Sequence, residues 1–203
     1  EYAIRVMVSN VHAQPTLYNG AHVVLCQSMS GCETTNFEAF GSGTSLANSR
    51  LVAIIPTAGG LGCDGNIWGN CIWNFNATDI DYGFVFDATN PAIANCRFTG
   101  CTMDGGKMYS VLFRIGSTAS SANCRIYNCS LIGNRISAST ENASEGGGGV
   151  HIDQEIDRYI NGIEIIGNVF SIGSKRGIYH EISGAPSDAS VGRSEERRVG
   201  KEC

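Results

Sequence analysis

Large apolar residues recur along this chain at fixed distances from Asn and Gly, in a nine-residue pattern that occurs four times. The copies run Gly65–Trp73, Asn95–Met103, Asn123–Leu131 and Gly162–Phe170. Their fourth position is Trp68, Phe98, Ile126 or Ile165, and their ninth is Trp73, Met103, Leu131 or Phe170. The sixth is Asn70, Gly100, Asn128 or Gly167, residue types that accept a left-handed corner at low cost. The second and fourth positions share one side of a strand, and the seventh and ninth share a side of the next. The pattern predicts strand, sharp corner, strand, with every apolar position turned to one interior.

A second motif lies between these copies, at Gly83–Asp87, Ser110–Arg114, Gly149–Asp153 and Gly177–Glu181. It steps by 27, 39 and 28 residues, while the seventh position of the first motif steps by 30, 28 and 39. Both long steps span Ser137–Gly148, a stretch rich in Ser and Gly that reads as a surface loop inserted into one turn. Two motifs sharing one insertion predict stacked coils of about 28 residues, three strands to a coil.

Gly is abundant, with 26 residues against 4 Pro, which suits many short strands joined by tight turns. The net charge of −5 argues against a nucleic-acid or anionic-membrane surface. The longest strongly apolar run, Leu51–Ile55, is too short to enter and span a bilayer. Outside the last residue there are eight cysteines: Cys26, Cys32, Cys63, Cys71, Cys96, Cys101, Cys124 and Cys129. Cys71, Cys101 and Cys129 share one repeat position, and Cys96 and Cys124 share another. Stacked repeats turn these into files of small core side chains, so buried free thiols are favoured over the disulfides an extracellular protein would permit. No Cys-x₂-Cys pair exists for zinc, and Asp153–Asp157 lacks the Gly and distal Glu of a calcium loop. Neither a metal nor another cofactor is expected.

Three strands per coil, Asn/Gly corners and files of like residues resemble the right-handed parallel β-helix of the pectate-lyase-like superfamily, which includes phage tailspike-type proteins. The resemblance implies an all-β, single-stranded solenoid over 50–192, clearest from Arg50 to Ile182, after an irregular strand-rich coil or cap over 1–49. A β-sandwich is the competing architecture. Residues 193–203 resemble, over all eleven positions, a translated sequencing adapter. They are expected to be a non-native tail on a metagenomic fragment.

Alternation in the second motif sends Phe84, Phe86, Val111, Phe113, Val150, Ile152, Ile178 and His180 inward. Two files then face outward: Val85, Leu112, His151, Tyr179, and beside it Asp87, Arg114, Asp153, Glu181. The second file is the candidate catalytic set, because paired carboxylates on neighbouring strands suit glycoside cleavage. Arg114 would neutralise an acidic sugar and His151 would act as a base. Tyr179 and Leu112 are the candidate substrate contacts. The plainer reading of Asp–Arg–Asp is a charge ladder that keeps like charges apart. Polygalacturonase motifs such as Asn-Thr-Asp and Gly-His-Gly are absent. Trp68 and Trp73 hold inward positions and read as core.

The resemblance implies a partner that is a polysaccharide or surface glycan, met outside the cell or on a virion. One expectation is a polysaccharide lyase, a glycoside hydrolase or a tailspike-type depolymerase. The alternative is a non-catalytic structural or receptor-binding shaft of a tail fibre or adhesin, commonly a homotrimer.

Overall fold

The computed structural model describes residues 3–4, 7–13, 22–42, 50–56, 62–76, 82–88, 92–104, 109–115, 124–138, 148–155, 158–172 and 176–183. The proposed tail at 193–203, and all but the edges of the insertion, lie outside these residues. The edges are strands: Arg135–Ala138 ends the segment before it and Gly148–Glu155 begins the one after.

The chain is a parallel β-solenoid with three sheets and no helix among the described residues. The first sheet stacks Ala3–Ile4, Met29–Ser30, Cys63–Asp64, Ile93–Ala94, Arg125–Tyr127 and Tyr159–Asn161. The third stacks His22–Cys26, Arg50–Ile54, Tyr82–Asp87, Tyr109–Ile115, Gly148–Glu155 and Arg176–Ser183. Between them the second sheet carries two short runs per rung from Ile67 onward, for example Arg97–Thr99 and Thr102–Asp104, above the single long strand Glu33–Ser42. All pairing is parallel, and the strands before residue 50 extend the same three sheets downward.

Two corners shape each rung. The first is Gly31, Gly65, Asn95, Asn128 or Gly162, and the second is Asn36, Asn70, Gly100, Gly133 or Gly167; all have φ between 51° and 64°. Only Gly, and Asn with its short polar side chain, takes this conformation readily. The residue after a corner turns inward and reaches down to the rung below. Asn134 donates to the Phe98 carbonyl (3.1 Å) and accepts from the Cys101 N–H (2.8 Å). Asn168 donates to the Leu131 carbonyl (2.7 Å), and the Cys101 thiol points at the Trp68 carbonyl (3.5 Å). These are equivalent carbonyls of successive rungs, so Cys and Asn perform one task here: a donor for a buried acceptor.

The cysteine files differ from the expectation in one rung. Cys129 stacks on Cys96, at the first corner, and Asn134 holds the place above Cys71 and Cys101. Cys124 lies five residues earlier, below Arg158 rather than above Cys96. The cause is a five-residue pseudo-repeat within the rung: Cys124-x-Ile126-x-Asn128, Cys129-x-Leu131-x-Gly133, Asn134-x-Ile136. A nine-residue pattern fits it at two registers. The corner therefore advances by 30, 33 and 34 residues, not 30, 28 and 39. All eight cysteines are free and buried. Burial in apolar surroundings pushes the Cys26 and Cys63 thiols above their usual range.

The core is one column of aromatic and aliphatic side chains. Phe98 stacks on Trp68 at 4.6 Å and meets Trp73, Phe84 and Phe86 edge-on. Trp68 and Trp73 are buried in this column, as their repeat positions predict.

Candidate functional site

The third sheet presents the outer face on which the candidate residues stand. Its inner side supplies Phe84, Phe86, Val111, Phe113 and Val150 to the core, with Ile152 packed against it. Register places Val85, Leu112, His151 and Tyr179 side by side on consecutive strands. It likewise aligns Asp87, Arg114, Asp153 and Glu181. Neighbouring parallel strands lie about 4.8 Å apart, which puts Asp87 and Asp153 about 10 Å apart at the backbone with Arg114 between them.

A departure from strict alternation adds a third row. At the start of each strand two successive residues face the interior. Leu51 and Val52 both belong to the core, and Val23 and Val24 both pack against it. Ser110 donates to the Ser137 carbonyl across the corner, and a Cβ on Gly149 would run into the Phe170 ring. The preceding residue in each strand is thereby turned out: Arg50, Tyr82 and Tyr109. Sequence reasoning passed over Tyr82 and Tyr109 because a period of two assigns them to the interior. Their signal was the small residue that follows each, Gly83 and Ser110, which fits a tight inner corner.

The tyrosines lean along the sheet. Tyr82 and Tyr109 stack at 6.3 Å with planes 8° apart, and Tyr109 and Tyr179 at 6.2 Å and 11°. The His151 ring lies 4.8 Å from Tyr109 and 5.1 Å from Tyr179. Gly148, next to Tyr109 in register, has no side chain and leaves room for that reach. The Arg50 guanidinium stands over Tyr82 at 5.9 Å.

Accessibility separates the candidates. Leu112 and Val85 are buried, and so are Asp87, His151 and Tyr109; Leu112 therefore offers no open contact surface. Tyr109 and His151 are covered and form the middle of the aromatic row, while Tyr82 and Tyr179 on either side of them are half-buried. Asp153 and Arg114 are half-buried too, and Glu181 is exposed. Arg114 donates to Asp87 Oδ2, while Asp87 Oδ1 has no hydrogen-bond partner. Burial works against the Arg114 cation, but the Asp87 hydrogen bond and charge, with Asp153 beyond, outweigh it and raise its pKa. His151 Nε2 lies 3.6 Å from Glu181 Oε2. His180 lies in the inward file above Ile152 and is exposed at the end of the stack.

A concavity of about 270 Å³ lies elsewhere, along the first corner, lined by Asn95, Arg97, Asn128, Ser130, Gly162 and Glu164. It shares no residue with the third-sheet face. Among the described residues no three His, Cys, Asp or Glu side chains converge on a metal position. Compared with known proteins, the chain matches no family model, no curated protein and no solved structure.

Proposed function

We propose that this β-solenoid binds an extended glycan along the outer face of the third sheet. The observation that carries the reading is the row of rings from Tyr82 through Tyr109 and His151 to Tyr179, flanked by the Asp87–Glu181 file. The buried middle of the row fixes the two half-open rings, Tyr82 and Tyr179, which offer the contact surface. Flat aromatic faces bury the apolar side of a sugar ring, and adjacent charged groups accept its hydroxyls. Contacts spread over several rungs suit a polymer lying along the axis. The resemblance to the pectate-lyase-like and tailspike-type β-helices supports the same reading, with an extracellular or virion location and a trimeric shaft as its setting.

Cleavage is the second reading, favoured by one feature. Asp153 and Glu181 are neighbours on adjacent strands, about 5 Å apart at the backbone, so their carboxyl groups could close to the spacing a retaining pair uses. His151 beside Glu181 would assist proton transfer. Asp87 is taken up by Arg114 and would position rather than react.

Affinity electrophoresis through gels containing single polysaccharides tests binding. The wild-type chain should be retarded by at least one polymer, and Tyr179→Ala should lose most of that retardation while keeping its fold. A broad panel that retards neither protein would remove the proposal. Release of reducing ends, abolished by Asp153→Asn with binding retained, would extend it to hydrolysis.

A further inference from the structure

We infer that this face selects against acidic glycans: it takes polymers free of carboxylates and prefers amino-bearing ones, resting on the glycan-binding reading above. The inference comes from the charges left over on the sheet once internal pairing is complete. The cation in the middle of the file, Arg114, is already paired with buried Asp87. Its charge is therefore largely neutralised before any ligand arrives, and a uronate or sialate would have to compete with a fixed, desolvated carboxylate.

The groups in the file beside Tyr179 are acidic, while Arg176 opens the same strand. Asp153 and Glu181 stand next to each other in the same file, and Glu155, two residues beyond Asp153 on the same strand, continues the outward side. None of the three forms a salt bridge with Lys or Arg among the described residues: Asp153 stands in register beside Arg114, whose charge is already taken up by Asp87, and His151 lies 3.6 Å from Glu181. Arg50 lies at the opposite end of the face, over Tyr82. A chain of net charge −5 adds a long-range field of the same sign. The expectation that Arg114 receives an acidic sugar therefore reverses. Sugar hydroxyls and protonated amines can donate to Asp153 and Glu181, whereas a carboxylate stacked on Tyr179 meets two like charges.

Retention on immobilised polysaccharides provides the test, each backbone being used in neutral form, oxidised at C6 to the uronate, and aminated. The wild-type chain should bind the aminated form most tightly and the oxidised form least, with steps of roughly fivefold at low ionic strength. The steps should shrink in 1 M salt, where the screening length is about 3 Å. Asp153→Asn with Glu181→Gln should bring the three forms together, and Asp87→Asn, which releases Arg114, should raise binding of the oxidised form. The wild-type ranking alone decides the matter should a variant fail to fold. Oxidised polymers held as tightly as their neutral parents would overturn the selectivity and leave glycan binding standing. If no polymer of any charge is held, the glycan-binding reading itself fails.

Discussion

Asn134 shows how much a single corner residue carries in this fold. Its side chain accepts from the Cys101 N–H and donates to the Phe98 carbonyl, both buried, and its own N–H is taken by Asn168 Oδ1 at 2.8 Å. Asn134→Ala strands two backbone groups and should cost about 1–3 kcal/mol in urea unfolding. Asn134→Cys should cost less, because cysteine already serves as the donor one rung below, in Cys101. The eight buried thiols themselves should be silent towards a thiol reagent in the native protein, and after denaturation without reductant all nine cysteines of the chain, Cys203 included, should react; a smaller number would indicate disulfides. Histidine gives a pH signature. Burial, and then the charge of Arg50, hold His22 below its ordinary pKa. The unfolded chain takes up a proton near pH 6.5 that the folded one refuses. Stability is therefore full above that pH and falls as the pH drops towards the lower, folded value. Urea midpoints measured from about pH 7.5 to about pH 5 should fall less steeply for His22→Gln than for the wild type.

At the scale of the strand, what could be read from the sequence was set by periodicity. The alternating inward positions of the second motif, and the register that aligns Asp87, Arg114, Asp153 and Glu181, were legible because loop length leaves them untouched. Two things were hidden. The five-residue pseudo-repeat let the third copy slip by one unit, so Cys129 was placed above Cys101 when it belongs above Cys96. The doubled inward pair at each strand start breaks a period of two, which concealed Tyr82 and Tyr109. Gly149 tests that pair directly. An added Cβ there would lie 2.8 Å from the Gly177 carbonyl oxygen and 2.3–2.5 Å from two carbons on the edge of the Phe170 ring. Gly149→Ala should destabilise by about 1–3 kcal/mol through overpacking, and Phe170→Leu in the same chain should recover part of it. If Gly149→Ala is neutral, the position does not face inward and the outward placement of the tyrosines loses its geometric basis.

Across the whole molecule, stability should follow the stacking order, because each rung of a solenoid contacts only its neighbours. Ile178 sits in register above fully buried Val150, yet it is 47% exposed. No described rung lies above it, and Ile165, in register with buried Leu131, is only half-buried for the same reason. Such an end effect could not be read from sequence, since Gly162–Phe170 fits the repeat as well as the copies beneath it. Phe98, by contrast, is enclosed by Trp68, Trp73, Phe84 and Phe86. Phe98→Ala should cost about 3–5 kcal/mol. Phe170→Ala, in the second run of the half-open rung, should cost much less, because its ring already keeps part of its contact with water. Native-state hydrogen exchange should show the same gradient, with slow amides in Arg97–Thr99 and Ser130–Ile132 and faster ones in Glu164–Ile166 and Val169–Ile172. Equal protection in all four strands would mean that the solenoid opens as one cooperative block, and the gradient of stability along the stack would have to be abandoned.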